Sequence, residues 1–208
     1  MANVGDSRAV LFRNAARGGG SGVGGEEEEE GGGGGRRLLP LALSIDHSPR
    51  LPSEARRILL AGGTLAPISY EDGTDGPLRV WAPGVVPPGP GLAMTRSVGD
   101  TMGKLAGVCA EPDIYTGTLA AGEDAFIVLG SDGLWEFLGG GEVGAALVAA
   151  GGVAEAEARG AAGGGGEPPR AQLQVALDAL ATAAVAKWRE AEGSFDDISI
   201  IIAEVKGV

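Results

Sequence analysis

The chain has 208 residues, the length of one domain with or without a tail. Asp and Glu number 28 against 16 Lys and Arg, a formal net charge of −12 that argues against nucleic acid or an anionic membrane surface as the main partner. A single cysteine, Cys109, excludes an intramolecular disulfide and a cysteine-based zinc site, and a single histidine, His47, excludes a multi-histidine metal centre.

No stretch approaches the apolar length that crosses a bilayer, and the N-terminal residues lack the basic region and apolar core of a signal peptide. Residues 2–4 running into Gly5-Asp6-Ser7 read as the end of a strand entering a turn, an unusual place for a chain to start. Residues 8–12 and 38–44 read as short strands. Between them, residues 13–37 are almost wholly Gly, Ala, Glu and Arg and carry the acidic run 26–30. Such a segment buries too little apolar surface to offset its ordering entropy, so it is expected to be a disordered insertion in a hairpin. It holds a formal G-x-G-x-x-G at residues 20–25. The five glutamates that follow would repel a phosphate, so the dinucleotide reading fails.

Further along, residues 53–61 predict a short helix with Ser53 as N-cap, Glu54 in the first turn and Gly62-Gly63 at its end. Residues 64–90, rich in Pro, Gly and Asp, read as an irregular loop. The apolar run 125–129, closed by Gly130-Ser131-Asp132-Gly133, predicts a buried strand. Residues 142–150 are helical in composition, and 151–169 read as a second low-complexity insertion. The clearest helix is 170–190, where Leu173, Leu177, Leu180, Ala184 and Trp188 form one apolar stripe. Residues 198–205 predict a last buried strand.

With histidine and cysteine nearly absent, the available chemistry is that of carboxylates. Asp132 follows one buried strand, and Asp196 and Asp197 precede another. If the two strands are antiparallel neighbours, Asp132 and Asp196 share a sheet edge. Carboxylates held close repel unless a cation lies between them, and oxygen ligands suit Mg²⁺ or Mn²⁺. A paired-metal site of that kind clamps a phosphoryl group and activates a water. Each piece also has a plainer reading: Asp-Gly after a strand as a turn, Asp196-Asp197 as a solvated turn, and Asp6 as a hairpin residue capping local amides. Other candidates are weaker. Gly103-Lys104-Leu105 lacks the frame of a P-loop, Ser97 lacks that of a nucleophile elbow, and Cys109 reads as inert. Structural roles are expected for Arg96 and Lys104, and core positions for Trp135 and Trp188.

Read in order, seven segments resemble the metal-dependent (PPM, type 2C) Ser/Thr protein phosphatases. They are residues 2–11 around Gly5-Asp6-Ser7, then Asp46-His47-Ser48-Pro49, and Glu54 with Arg57-Ile58 and Ala61-Gly62-Gly63. The match continues through residues 91–100, Glu111-Pro112-Asp113, residues 131–136 and residues 193–199. The resemblance covers residues 2–205 apart from the two insertions, 13–37 and 151–169. It implies an α+β fold, a four-layer αββα sandwich of two mostly antiparallel sheets flanked by helices, here incomplete at the N-terminus.

By the same resemblance, Asp132 would bind two core Mn²⁺ or Mg²⁺ ions and Asp196 would ligate one of them. Asp6, with Asp132 and Glu136, would hold a further, weaker ion; the family usually has Asp where this chain has Glu136. Gly133 and Asp197 would flank these ligands. The family's N-terminal Asp-Gly-His-Gly motif, which supplies a bridging acid and a histidine taken as general acid, has no counterpart here, nor has its phosphate-gripping arginine. No catalytic residue is therefore identified, and His47 is expected to pack or hold a turn.

The implied function is metal-dependent hydrolysis of phosphoserine and phosphothreonine in proteins, with a catalytically inactive protein-binding module as the alternative. The expected partners are phosphorylated protein substrates, not nucleic acid or membrane, and the expected state is a monomer. An intracellular setting, cytoplasm or nucleus, is expected, with organelle targeting left open.

Overall fold

The structure, a computed structural model, describes residues 1–15, 36–70, 73–85, 91–120, 122–160 and 169–206. The acidic run and the G-x-G-x-x-G lie outside them. The fold is α+β, with antiparallel strand pairs and helices. The chain divides into two compact units, one of residues 1–8 and 43–117, the other of residues 9–42 and 118–208.

The second unit is a four-stranded sheet with a helical layer. Its strands β2 (Arg8–Asn14), β3 (Leu38–Ala42), β7 (Asp124–Gly130) and β8 (Ile200–Glu204) lie in the order β3-β2-β7-β8. Alternation decides the faces. Val10, Phe12, Phe126, Val128, Ile200 and Ile202 turn toward the core shared with helices α4 (Gly140–Gly160) and α5 (Pro169–Glu192). Leu180 and Ala184 from the predicted stripe are buried there, joined by Ala176. On the opposite face, Leu39, Leu41, Leu129 and Ile201 are exposed. The sheet also holds a charge: Asp124, 2% exposed, accepts from Arg13 Nε at 2.7 Å and from the Ala120 N–H. The Arg13 hydrogen bond holds the Asp124 carboxyl below its ordinary range.

In the first unit, β1 (Ala2–Asn3) pairs antiparallel with β6 (Asp113–Ile114), and β4 (Thr64–Ser69) with β5 (Asp75–Trp81). Helices α1 (Pro52–Leu60) and α2 (Thr101–Lys104) complete it. A small core of Ile58, Val80, Ala82, Ala106 and Val108 lies beneath α1. Gly63 is forced by that packing, since a Cβ there would meet the Ala106 carbonyl oxygen at 2.6 Å.

Three local expectations need correction. The α1 helix starts earlier: Leu51 is its N-cap, two residues before Ser53, Pro52 occupies the first turn and Ser53 lies within the helix. Proline's fixed φ suits that position, where its missing N–H costs nothing. The supposed loop 64–90 is instead largely the β4–β5 hairpin, where Leu65, Val80 and Trp81 pack inward although Gly and Pro dilute the pattern. Helix α4 runs on to Gly160, through Gly151 and the Ala-Glu-Ala-Glu-Ala-Arg stretch of strong helix formers, where an insertion was expected from 151 onward. No helix among the described residues is long and apolar enough to cross a membrane.

Candidate metal centre

Strands β7 and β8 are antiparallel neighbours, with Gly130 opposite Ile200. The end of one therefore lies beside the start of the other. Ser131, extended after β7, ties the two together: its N–H donates to the Ser199 carbonyl at 3.1 Å, and its Oγ accepts the Ser199 N–H at 3.0 Å. The same hydroxyl donates to the Asp197 carbonyl at 3.0 Å. Asp132 then opens the single-turn helix α3 (Asp132–Trp135).

Gly133 makes the junction tight. A Cβ at this position would sit 2.5 Å from the Asp197 carbonyl oxygen, closer than any real side chain tolerates. Only glycine lets the Asp132 turn lie against the Asp196-Asp197 loop. From the other side, Trp188 Nε1 of α5 donates to the Gly133 carbonyl at 2.7 Å, and the Trp188 ring stands edge-on to Phe137 with centroids 4.8 Å apart. Backbone of the loop before β8 and the indole of α5 thus fix the turn in place.

The carboxylates at this rim bond to their own backbone. Asp132 Oδ1 accepts the Gly133 N–H at 2.9 Å, and Asp196 Oδ1 accepts the Asp197 N–H at 2.7 Å. Asp132 is half-buried; Asp196, Asp197 and Glu136 are exposed. Glu136 follows one turn later, its N–H donating to the Asp132 carbonyl. Among the described residues, none of these four acids pairs with a lysine or arginine.

Asp6 belongs to the other compact unit and sits half-buried in a turn with Gly5 at φ 109°. His47 brackets this turn by its backbone and its ring, and Arg8 binds Asp46 through two hydrogen bonds, at 3.1 and 2.7 Å.

A second carboxylate cluster was not anticipated as a unit. Glu54, 2% exposed, accepts from both Arg57 terminal nitrogens at 2.7 Å, from Arg96 Nη2 at 2.9 Å and from Thr95 Oγ1 at 2.6 Å. Burial works against its charge, but the two guanidinium groups and the hydroxyl outweigh it and hold the carboxyl far below the ordinary range. Arg96 continues to Asp113 at 2.8 Å, and Asp113 meets His47 Nε2 at 3.2 Å. The His47 hydrogen bond, with help from Arg96, lowers the Asp113 carboxyl. Arg96 is thereby committed to structure, as is Lys104, whose Nζ donates to the Ser97 carbonyl. The residues lie in four separate segments, so no local pattern joined them.

The donor set at the β7–β8 rim fits a hard cation in chemistry: carboxylate oxygens without basic partners, beside backbone carbonyls. It does not close a coordination shell, because no group of three or more His, Cys, Asp or Glu converges among the described residues. The rim therefore fits as part of a metal site and leaves further ligands to be supplied.

Comparison with known proteins bears on the family and the fold. A family profile described as "PP2C: Protein phosphatase 2C" matches residues 1–144. Among curated relatives, "Probable protein phosphatase 2C 12" of Oryza sativa subsp. japonica is 38% identical over 143 residues, covering 69% of this chain and 31% of that protein. "Probable protein phosphatase 2C 61" of Arabidopsis thaliana is 35% identical, with 69% and 36% covered. The chain thus spans about a third of the length of such relatives. Among solved structures, a serine-threonine phosphatase 2C from Toxoplasma gondii superposes with a TM-score of 0.61 at 20% identity, covering 98% of this chain and 53% of that one. A C. elegans sex determining protein gives 0.57 at 23% identity, with 98% and 36% covered. At such identities the structures show a shared fold. The profile covers well over half of the residues, and the chain belongs to the protein phosphatase 2C family.

Proposed function

We propose that this chain contributes to the metal-dependent hydrolysis of phosphoserine and phosphothreonine in proteins, with Asp132 and Asp196 as ligands of a binuclear Mn²⁺ or Mg²⁺ centre. The observation that carries the reading is the Gly133–Asp197 contact, which sets two carboxylate-bearing turns side by side at one sheet edge. Bound ions would supply a water acidic enough to act as a nucleophile near neutral pH. The chain's own residues supply the placement: Ser131 and Trp188 fix the turn, and among the described residues Asp132 and Asp196 pair with no arginine or lysine that would compete for them.

Asp6 and Glu136 are proposed for a further, weaker ion, with Gly133 and Asp197 shaping the rim. The histidine and arginine of the family's N-terminal segment have no counterpart among these residues, so no general acid is assigned here. Phosphorylated proteins are the proposed partners, and the proposed setting is intracellular.

The test is phosphopeptide hydrolysis by the full-length protein with Mn²⁺ or Mg²⁺, beside the Asp132→Ala and Asp196→Ala variants. Each variant is expected to lower kcat/KM by about a hundredfold or more, a loss of the size seen when one charge-stabilising group is removed. A full-length protein that folds cooperatively yet hydrolyses nothing with either metal would replace this reading with that of a protein-binding module.

A further inference from the structure

The turn that presents Asp6 is held from both sides by consecutive residues. On one side, the Gly5 N–H donates to His47 Nδ1 at 3.0 Å and the Gly5 carbonyl accepts the His47 N–H at 2.9 Å. On the other, Arg8 donates from Nε and Nη2 to the two oxygens of Asp46. Asp6 and Ser7 are the two residues between these anchors. The ring of His47 is 1% exposed, and its backbone carbonyl accepts the Thr95 N–H at 2.8 Å. It cannot swing away without breaking several bonds at once.

The tautomer follows from the partners. A backbone N–H can only donate, so Nδ1 is the acceptor and the neutral ring carries its proton on Nε2. That proton points to Asp113 Oδ2 at 3.2 Å. Asp113 is itself set by Arg96, which grips Glu54 with its other nitrogens. A chain of hydrogen bonds thus runs from the buried Glu54 through Arg96, Asp113 and His47 to the Gly5 amide, one residue before Asp6.

We infer that Asp46 and His47 act as a two-pronged clamp that pre-positions Asp6 as a ligand, with Asp113 selecting the ring tautomer that makes the His47 prong work. This rests on the proposed role of Asp6 at the weaker ion. His47 is a positioning residue: it touches no reacting atom and acts through the Gly5 amide. A ligand already fixed in place costs less ordering when the ion binds, and loss of such outer support commonly weakens a metal by about tenfold or more.

Two substitutions separate the two ring nitrogens. His47→Asn keeps an acceptor near the Nδ1 position and drops the link to Asp113. His47→Gln keeps a donor near the Nε2 position and drops the acceptor for Gly5. Both are made in the full-length protein, with urea unfolding followed in parallel. Single-residue hydrogen exchange at the Gly5 amide is read without metal, and Mn²⁺ titration calorimetry reads the weakest binding phase.

In His47→Gln, Gly5 exchange is expected to speed by about tenfold, the worth of one buried hydrogen bond, and the weak Mn²⁺ phase to loosen several-fold. His47→Asn is expected to keep most of both. If His47→Gln does not fold, Asp113→Asn serves instead. Its amide can donate to Nε2, drive the ring proton to Nδ1 and so set two donors face to face, which is expected to expose Gly5 in the same way.

Gly5 protection as strong as in the unaltered protein would overturn the clamp. So would a loosened Gly5 with unchanged Mn²⁺ binding, provided Asp6→Asn weakens that phase. If Asp6→Asn itself leaves the titration untouched, Asp6 is no ligand, and the underlying metal reading fails rather than the clamp's geometry.

Discussion

Two sets of acids in this molecule have opposite surroundings. Glu54 and Asp113 in the first unit are saturated by Arg57, Arg96 and His47. Asp132 and Asp196 in the second unit accept only neighbouring backbone N–H groups among the described residues. An acid with its own arginine is already neutralised and belongs to the scaffold. One left with backbone amides alone keeps its charge for something that arrives. Sorting carboxylates by their cations therefore separates structure from candidate chemistry better than sorting them by burial, because Asp132 is half-buried like many scaffold residues.

The sharpest way to break this contrast is Glu54→Ala. It strands Arg57 and Arg96 without their shared partner and is expected to cost about 3–5 kcal/mol, the range for halving a buried ion pair. Urea unfolding, with hydrogen exchange resolved to residues 43–117, would show the loss concentrated there. Next comes Gly133→Ala, which drives a methyl into the Asp197 carbonyl and should cost roughly 1–3 kcal/mol by overpacking, with Mn²⁺ affinity falling in step. If the alanine variant bound Mn²⁺ as before, the contact would not matter to the rim.

A pH titration sharpens the same difference. Folded Glu54 stays ionised where the unfolded chain takes up a proton, so the unfolded state binds more protons and stability falls as pH falls. The decline should begin near the ordinary glutamate value, about pH 4.3, and continue well below it. Asp113 and Asp124, both lowered, add to it with the same sign. Glu54→Gln should flatten the slope between pH 5 and 3; an unchanged slope would assign it to other groups. The smallest effect is expected in the apolar core, where Leu180→Met conserves volume and should cost less than about 1.5 kcal/mol.

Much of the second unit was legible from the sequence. The continuous apolar runs before Gly130 and after Asp197 are strands, as their composition predicts, and the stripe of α5 announces its inner face; the antiparallel pairing of the two strands is left as a condition by the sequence and met by the structure. The juxtaposition of the Asp132 and Asp196 turns follows from that pairing. The β4–β5 hairpin was hidden because Pro67, Gly76 and Pro77 blur the alternation that marks a strand. The sequence predicts too short an α4 because Gly151-Gly152 reads locally as a stop, whereas the residues beyond favour continuation. The Glu54–Arg96–Asp113–His47 chain was illegible for a different reason. Its members are scattered over more than sixty residues, and only folding makes them neighbours.

The Gly133–Asp197 contact also has a consequence for how the protein is made. The ribosome releases Asp132 and its turn some sixty residues before Asp197, whose carbonyl is both the wall behind Gly133 and the acceptor for Ser131. Until that later stretch has emerged, the turn has no surface to lie against, and β7 presents an unpaired edge where β8 will add. The rim is thus a late product of synthesis, and premature termination anywhere between Asp132 and Ser199 leaves a polypeptide with the acid but not the place to hold it.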